Sequence, residues 1–201
     1  MTQRKIPAVF YRGGTSRAVF FQAKDMPEDQ RLQDAIFMRA LGSPDPNGRQ
    51  LDGLGGGISS LSKVAIIGPS SRPDADVDYT FGQVSVETSL VDRNSNCGNM
   101  SSAVGPFAVE EGLVAASHDG EATVRIHNTN TSKIILSRFQ MENGSPAVEG
   151  NYELPGVPGT GSKITLDFMD PGGAGTGSLL PTGRAVDEIE IEGIGKFEAS
   201  L

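Results

Sequence analysis

Apolar positions in this chain fall into short alternating runs more often than into helical stripes. Ile6 to Tyr11 predicts a strand, Arg12-Gly13-Gly14-Thr15-Ser16 a turn, and Arg17 to Phe21 a second strand, together a hairpin. Val64-Ala65-Ile66-Ile67 reads as a short apolar strand stopped by Gly68-Pro69. Val77, Tyr79, Phe81, Val84 and Val86 alternate with mostly polar neighbours, which predicts a half-buried strand with an irregularity at Gly82. Ala122 to His127 and Lys133 to Phe139 predict a pair of strands, and Ile164 to Phe168 another. Ile189 to Ile191 and Phe197 to Leu201 predict two more near the end.

Two stretches carry helical spacing. The first has Leu32, Ala35, Ile36, Arg39 and Ala40 on one face. Asp25 is its expected cap, with Pro27 in the first turn and Glu28 three positions on, and Gly42 and Pro44 end it. The second runs from about Gly98 to Glu111, with Gly112 as its stop. Met100, Ala103, Val104, Phe107 and Ala108 leave it almost no polar face, so it should be buried on most sides. Pro106 inside it predicts a kink or a shorter helix. About nine short strands and two helices describe an α+β domain in which a curved sheet wraps one buried helix. The run Pro171 to Ser178 is a flexible connector, so the expected division is a domain over 1–178 and the start of another over 179–201.

Composition narrows the class. Glycine (26) and proline (12) are abundant, which fits turns and short strands better than a helical bundle. The net charge of −8, with no basic stripe to offset it, argues against nucleic-acid binding. An anionic ligand must therefore be held by local positive groups. A single cysteine excludes an intrachain disulfide and is compatible with a reducing cytosol. Met1 to Lys5 has no apolar signal core and no stretch approaches membrane-spanning length, so a cytoplasmic protein is the expectation, with no membrane partner.

The candidate chemistry centres on Asn96-Cys97-Gly98-Asn99. The thiol sits at the open end of the buried helix, where unpaired N–H groups favour anions and thiolate; Asn99 is the residue that could cap. Lys63 follows a serine- and glycine-rich loop and enters an apolar strand, where desolvation would lower its pKa and suit it to act as a base. On these grounds alone Cys97 leads. The segment Gly53 to Lys63 does not match a phosphate loop, because Lys63 follows Ser62 and precedes Val64. It reads as an irregular loop or a backbone cradle for carboxylates. Arg12-Gly13-Gly14-Thr15-Ser16-Arg17 supplies backbone freedom, hydroxyls and guanidinium groups, the makings of either a ligand loop or an ordinary turn. His118 and His127 have no second cysteine near them, and no metal site is expected. Asp74, Asp76 and Asp78 lack the glycine and glutamate of a calcium loop and read as solvated.

Taken in order, Arg12-Gly13-Gly14-Thr15-Ser16, Gly42-Ser43-Pro44-Asp45-Pro46, Gln50 to Gly56, Ser62-Lys63-Val64, Phe81-Gly82-Gln83-Val84, Asn96-Cys97-Gly98-Asn99 and Leu180-Pro181-Thr182-Gly183 resemble one family. It is the PrpF-like 2-methylaconitate cis–trans isomerase family, which includes 4-oxalomesaconate tautomerases and methylitaconate Δ-isomerases. The resemblance implies a diaminopimelate-epimerase-like fold of two pseudo-symmetric domains, each a β-barrel-like sheet around a central helix. It also implies cofactor-independent proton transfer on an unsaturated di- or tricarboxylate, with Lys63 as base and Cys97 as a second acid/base or positioning group. The substrate would be held by Arg12, Gly13, Gly14, Thr15, Ser16, Ser62, Asn96, Gly98 and Asn99. Family members are roughly twice this long, so the chain is expected to be the N-terminal half. The C-terminal domain is its implied partner, and a homodimer is left open. Arg17 and Ala18 stand where relatives often have lysine and glycine. An amino-acid epimerase on the same fold and a non-catalytic carboxylate-binding accessory protein are the alternatives.

Overall fold

The computed structural model describes residues 4–170, 172–173 and 176–200. They divide into a large unit ending at Met169 and a small one beginning at Asp170, at the start of the predicted connector. Pro171, Ala174 and Gly175 of that connector, and Leu201, lie outside the described residues.

In the large unit, β1 (Val9–Gly13) and β2 (Ser16–Gln22) form the predicted hairpin, closed by Gly14 and Thr15. Helix α1 (Gln30–Leu41) follows, then β3 (Lys63–Pro69), β4 (Val77–Val84) and β5 (Val91–Asp92). Helix α2 (Gly98–Glu110) leads to β6 (Gly120–Asn128), β7 (Lys133–Glu142) and β8 (Ser145–Pro146). A small ribbon of β9 (Tyr152–Glu153) and β10 (Thr160–Gly161) precedes β11 (Thr165–Phe168). One mixed sheet runs β1-β2-β3-β4-β6-β7-β11, with β5 added on β4 and β8 on β7. Its parallel seams are β2–β3 and β4–β6.

Alternation along the strands builds two cores. Ala18 and Phe20 of β2, Ala65 and Ile67 of β3, and Tyr79 and Phe81 of β4 point to one face, where they enclose Met100, Val104 and Phe107 of α2. Helix α2 touches β1, β2, β6, β7, β8 and β11, so the sheet curls around it. Val19, Phe21, Val64 and Ile66 point to the other face and meet Phe37 and Leu41 of α1. Covering on both faces explains why β2 and β3 read as continuous apolar runs.

Three local expectations are corrected. Helix α1 starts at Gln30, and Asp29, not Asp25, caps it through a 2.8 Å bond from the Arg31 N–H. Pro27 disfavours helical backbone at the residue before it, and Met26 is extended (φ −102°, ψ 146°), so Asp25 ends a separate 3₁₀ turn. Gly82 makes no irregularity: it pairs in register with Val64 and β4 runs through to Val84. A Cβ there would meet Val64 Cγ2 at 2.8 Å, so glycine answers a packing demand. Helix α2 is not shortened by Pro106 and keeps all thirteen residues. Eight of these are buried, enough packing to outweigh the roughly 3 kcal/mol that an interior proline costs.

The alternating aspartates are more than a solvated loop. The β4–β6 seam holds only three residue pairs, Val77–Ile126 to Tyr79–Asn128. Asp76 extends it by ion-pairing Arg125 at 2.6 Å, and Asp78 bonds His127 at 2.9 Å. The bond from Arg125 holds the Asp76 carboxyl below the usual carboxylate range. In the small unit, β12 (Val186–Ile191) pairs with β13 (Gly195–Ser200) and leaves Ile189 and Phe197 exposed.

Gly105 faces β7. A Cβ on it would lie 2.5 Å from Ser137 Oγ and 2.8 Å from the Phe139 ring. Gly105→Ala gains about 1 kcal/mol of helix propensity but overpacks at a cost of roughly 1–3 kcal/mol. A net loss of stability in urea unfolding is expected, and a gain would mean that β7 yields. For Asp76, the depressed folded pKa means stability that is present above the unfolded pKa and lost as pH falls through the folded one. Asp76→Asn should therefore lower the urea midpoint at pH 7, and the gap to wild type should close in acid. A gap that ignores pH would remove the ion pair from the seam.

Candidate active site

The rim where α2 emerges gathers most of the residues singled out above. Cys97 is the N-cap residue, with extended backbone (φ −112°, ψ 105°) and no side-chain cap bond. The first-turn N–H groups are therefore not occupied by the cap side chain. Asn99 is not the cap. It lies inside the first turn, and its Nδ2 donates to Thr15 Oγ1 at 3.0 Å and to Ser16 Oγ at 3.3 Å. The hairpin can come this close because Gly13 and Gly14 carry no side chains. A Cβ on Gly13 would sit 2.3 Å from the Asn99 carbonyl oxygen, and one on Gly14 (φ +52°) 2.3 Å from Asn99 Oδ1. Arg12 donates one Nη1 bond to the Gly14 carbonyl at 2.8 Å, which bends it over the turn.

The segment before the helix is held by asparagines. Asn96 Oδ1 accepts from Ser101 Oγ (3.1 Å) and from Asn128 Nδ2 (3.3 Å). Asn130 clamps the backbone of Phe81 on both its N–H and carbonyl and also donates to the Arg93 carbonyl at 2.7 Å. Arg93 in turn ion-pairs Asp34 at 2.6 Å and stacks over Phe37. Cys97 is thus a half-buried free thiol on a segment held on both sides of it, packed against the core that contains Tyr79. Burial pushes the Tyr79 hydroxyl well above its ordinary pKa, and negative charge at Cys97 acts in the same direction, so the phenol stays neutral.

Lys63 opens β3, 8% exposed, on the same face as Ala65 and Ile67. Its Nζ donates to Gln83 Oε1 at 2.5 Å and lies 5.3 Å from the centre of the Phe81 ring. Ser62 points the other way. Its hydroxyl donates to the Val84 carbonyl (2.8 Å) and accepts from Gln50 Nε2 (2.7 Å), both inside the protein. That placement makes Ser62 a buried anchor of β3, not the ligand contact expected of it. The glycine-rich loop is likewise a packing device. Gly53 stacks on the backbone at Gly42, and Gly55 and Gly57 close around Gln50 and Gly48.

Beside the rim lies a cleft of about 350 Å³ lined by Arg12, Gly14, Gly98, Asn99 and Ser102, and on its far side by Tyr152, Thr160 and Ser162. Lys63 and Cys97 stand outside its lining. Ser102 and the β9–β10 ribbon were missed in the sequence. The alternating glycines and prolines of Pro155 to Gly161 were the available signal for a built loop there. Chemically the rim offers backbone N–H groups, a guanidinium and hydroxyls for an anion, with the Cys97 thiol at the helix mouth, while the Lys63 amine stands on the same face of the sheet, at the start of β3.

A curled mixed sheet around one helix, with an open helix mouth at its rim, is a racemase- and epimerase-like fold. A probable proline racemase from Agrobacterium radiobacter K84 aligns over 96% of this chain and 48% of its own, with a TM-score of 0.51 at 12% identity, a likeness of fold alone. The chain belongs to the PrpF family: residues 3–201 match the family described as PrpF protein. A 2-methyl-aconitate isomerase of Cupriavidus necator is 47% identical across 99% of this chain and 53% of its own length. The crystal structure of methylitaconate-delta-isomerase aligns with a TM-score of 0.83 at 48% identity, covering 97% of this chain and 49% of its own. The chain spans about half the length of the curated relatives it matches.

Gly13 tests the rim directly. The Asn99 carbonyl that opposes it is backbone and cannot rotate away, so Gly13→Ala should cost roughly 1–3 kcal/mol in urea unfolding. An unchanged midpoint would mean that the turn does not press on the helix.

Proposed function

We propose that this chain is one half of a cofactor-independent isomerase that moves a proton and a double bond in an unsaturated di- or tricarboxylate of the 2-methylaconitate or 4-oxalomesaconate type. The observation that carries the reading is the meeting, on one rim, of an uncapped helix mouth and the Gly13–Ser16 turn, with a buried amine on the same face of the sheet. The names of the relatives above supply the substrate class. In this reading the large unit is one of two pseudo-symmetric diaminopimelate-epimerase-like domains, and a C-terminal domain forms the other wall of the site.

The chemistry follows from charge. A proton on the carbon γ to a carboxylate, across the double bond, is weakly acidic. Lys63, as the free amine, accepts it and becomes an ammonium, while the electron pair left behind spreads into a dienolate. Backbone N–H groups at Cys97, Gly98 and Asn99, with the Gly13–Ser16 turn, hold the negative oxygens. Return of a proton at the other end of the allyl system, or at the same carbon after bond rotation, gives the isomer. Cys97 acts as a second acid/base or fixes the substrate beside the amine.

In the complete protein, Lys63→Ala should lower isomerisation by at least about 10²-fold, read against a panel of unsaturated tricarboxylates. Near-normal turnover in Lys63→Ala, with Cys97→Ser dead, would reverse the two roles. Solvent deuterium should enter a bound substrate. Binding with no exchange would instead favour an accessory carboxylate-binding protein.

A further inference from the structure

We infer that Gln83 is a positioning residue that aims the Nζ of Lys63. The inference rests on the reading of Lys63 as the base. An amide side chain can present either its oxygen or its nitrogen, and the surrounding bonds decide which. Here the Nε2 of Gln83 donates to two backbone carbonyls, Ser59 at 3.0 Å and Ser62 at 2.8 Å. The reversed amide would set its oxygen against those two carbonyl oxygens and its NH₂ against the amine. The oxygen is therefore committed to Lys63, which it meets at 2.5 Å.

The contact is built into the strand register, because Lys63 and Gln83 are direct partners of β3 and β4. The same amide ties the Ser59–Leu61 turn and Ser62 to β4, so the chain entering Lys63 is held by the group that holds its tip. The residues beside Lys63 in the register are uncharged: Ala18 on β2 and Gln83 on β4, with Phe81 next along the same face. Nζ lies between a carbonyl oxygen and an aromatic ring.

A neutral acceptor suits a base. It takes one N–H in either protonation state, and in the free amine it leaves the lone pair open toward a substrate. A carboxylate in the same place would favour the ammonium and hold the proton that the reaction needs to release. That difference separates positioning from mere packing, and two near-isosteric variants expose it. Gln83→Met keeps the volume and removes the acceptor. Gln83→Glu keeps the acceptor and adds a charge.

The first readout needs no activity. Lys63 in the folded chain is labelled with acetic anhydride across a pH series, and the peptide is quantified by mass spectrometry. The labelling midpoint should move to higher pH in Gln83→Glu by about one unit or more. In the complete protein, Gln83→Met should lower kcat by about 10- to 100-fold with KM within about threefold, and Gln83→Glu should move the acid limb of the pH–rate profile the same way as the labelling. An unmoved midpoint in Gln83→Glu, or a Gln83→Met enzyme with kcat within twofold of wild type, would overturn the inference. A moved midpoint together with an active Lys63→Ala enzyme would leave Gln83 as the lysine's anchor and sink only the reading of Lys63 as the base.

Discussion

The close approach of backbone to helix α2 is the constraint on which the rest depends. Gly105 lets the helix lie on β7, and Gly13 lets the first hairpin press on the carbonyl of Asn99. With side chains at these places the sheet could not curl so tightly, and the helix could not be enclosed along its length. Because Met100 to Ala108 is nearly all buried, α2 reaches solvent mainly at its ends: Gly98 and Asn99 at its mouth and Glu110 at its far end are exposed, and Met100 is not. The N-terminal partial charge is thus delivered to one spot on the rim. In the proposed function this is how a protein with a net charge of −8 holds an anion without a basic surface.

Strand parity then divides labour between neighbours. Ser62 and Lys63 are adjacent in sequence but belong to opposite faces of the sheet. The serine joins Gln50 and Val84 in a closed polar network, which fixes the start of β3. The lysine faces the concave side, its stem buried and its amine on Gln83. A shift of one residue in the β3 register would exchange the two and bury a cation among apolar groups beneath α1. The Gln50 network therefore protects the placement of the amine, although no member of it touches the amine.

Much of this was legible in the sequence wherever the cause is local. The apolar run of α2, the Gly13-Gly14 turn and strands β6, β7, β11, β12 and β13 follow from period and turn chemistry. What was not legible depends on partners far away in the chain. The cap is the local exception: Asp29 displaced Asp25 because Pro27 blocks an earlier start. Gly82 looked like a bulge but answers to Val64. The segment 53–57 reads equally as an irregular loop or a carboxylate cradle, and Gly53, Gly55 and Gly57 are packed on Gly42, Gln50 and Gly48. Composition cannot tell a glycine that faces a ligand from one that faces another backbone. Asn96, Asn128 and Asn130, which hold the segment leading to Cys97, and Gln83, which holds Lys63, gain their meaning only from pairings across the sheet.

The strand order bears on the proposed reaction. Arg12 is on β1 and Lys63 on β3, with β2 between them, so their backbones stand about two strand spacings, roughly 10 Å, apart. Arg12 pairs in register with Arg17, which faces away from Ala18, the partner of Lys63. The guanidinium therefore lines the cleft only by bending over the turn, through its bond to the Gly14 carbonyl, while Lys63 stands on the concave face from the start of β3. In the proposed reading the anion holder and the base thus come from different strands, and the polycarboxylate spans them: charge released at the carbon that loses its proton spreads through the conjugated bonds toward the helix mouth.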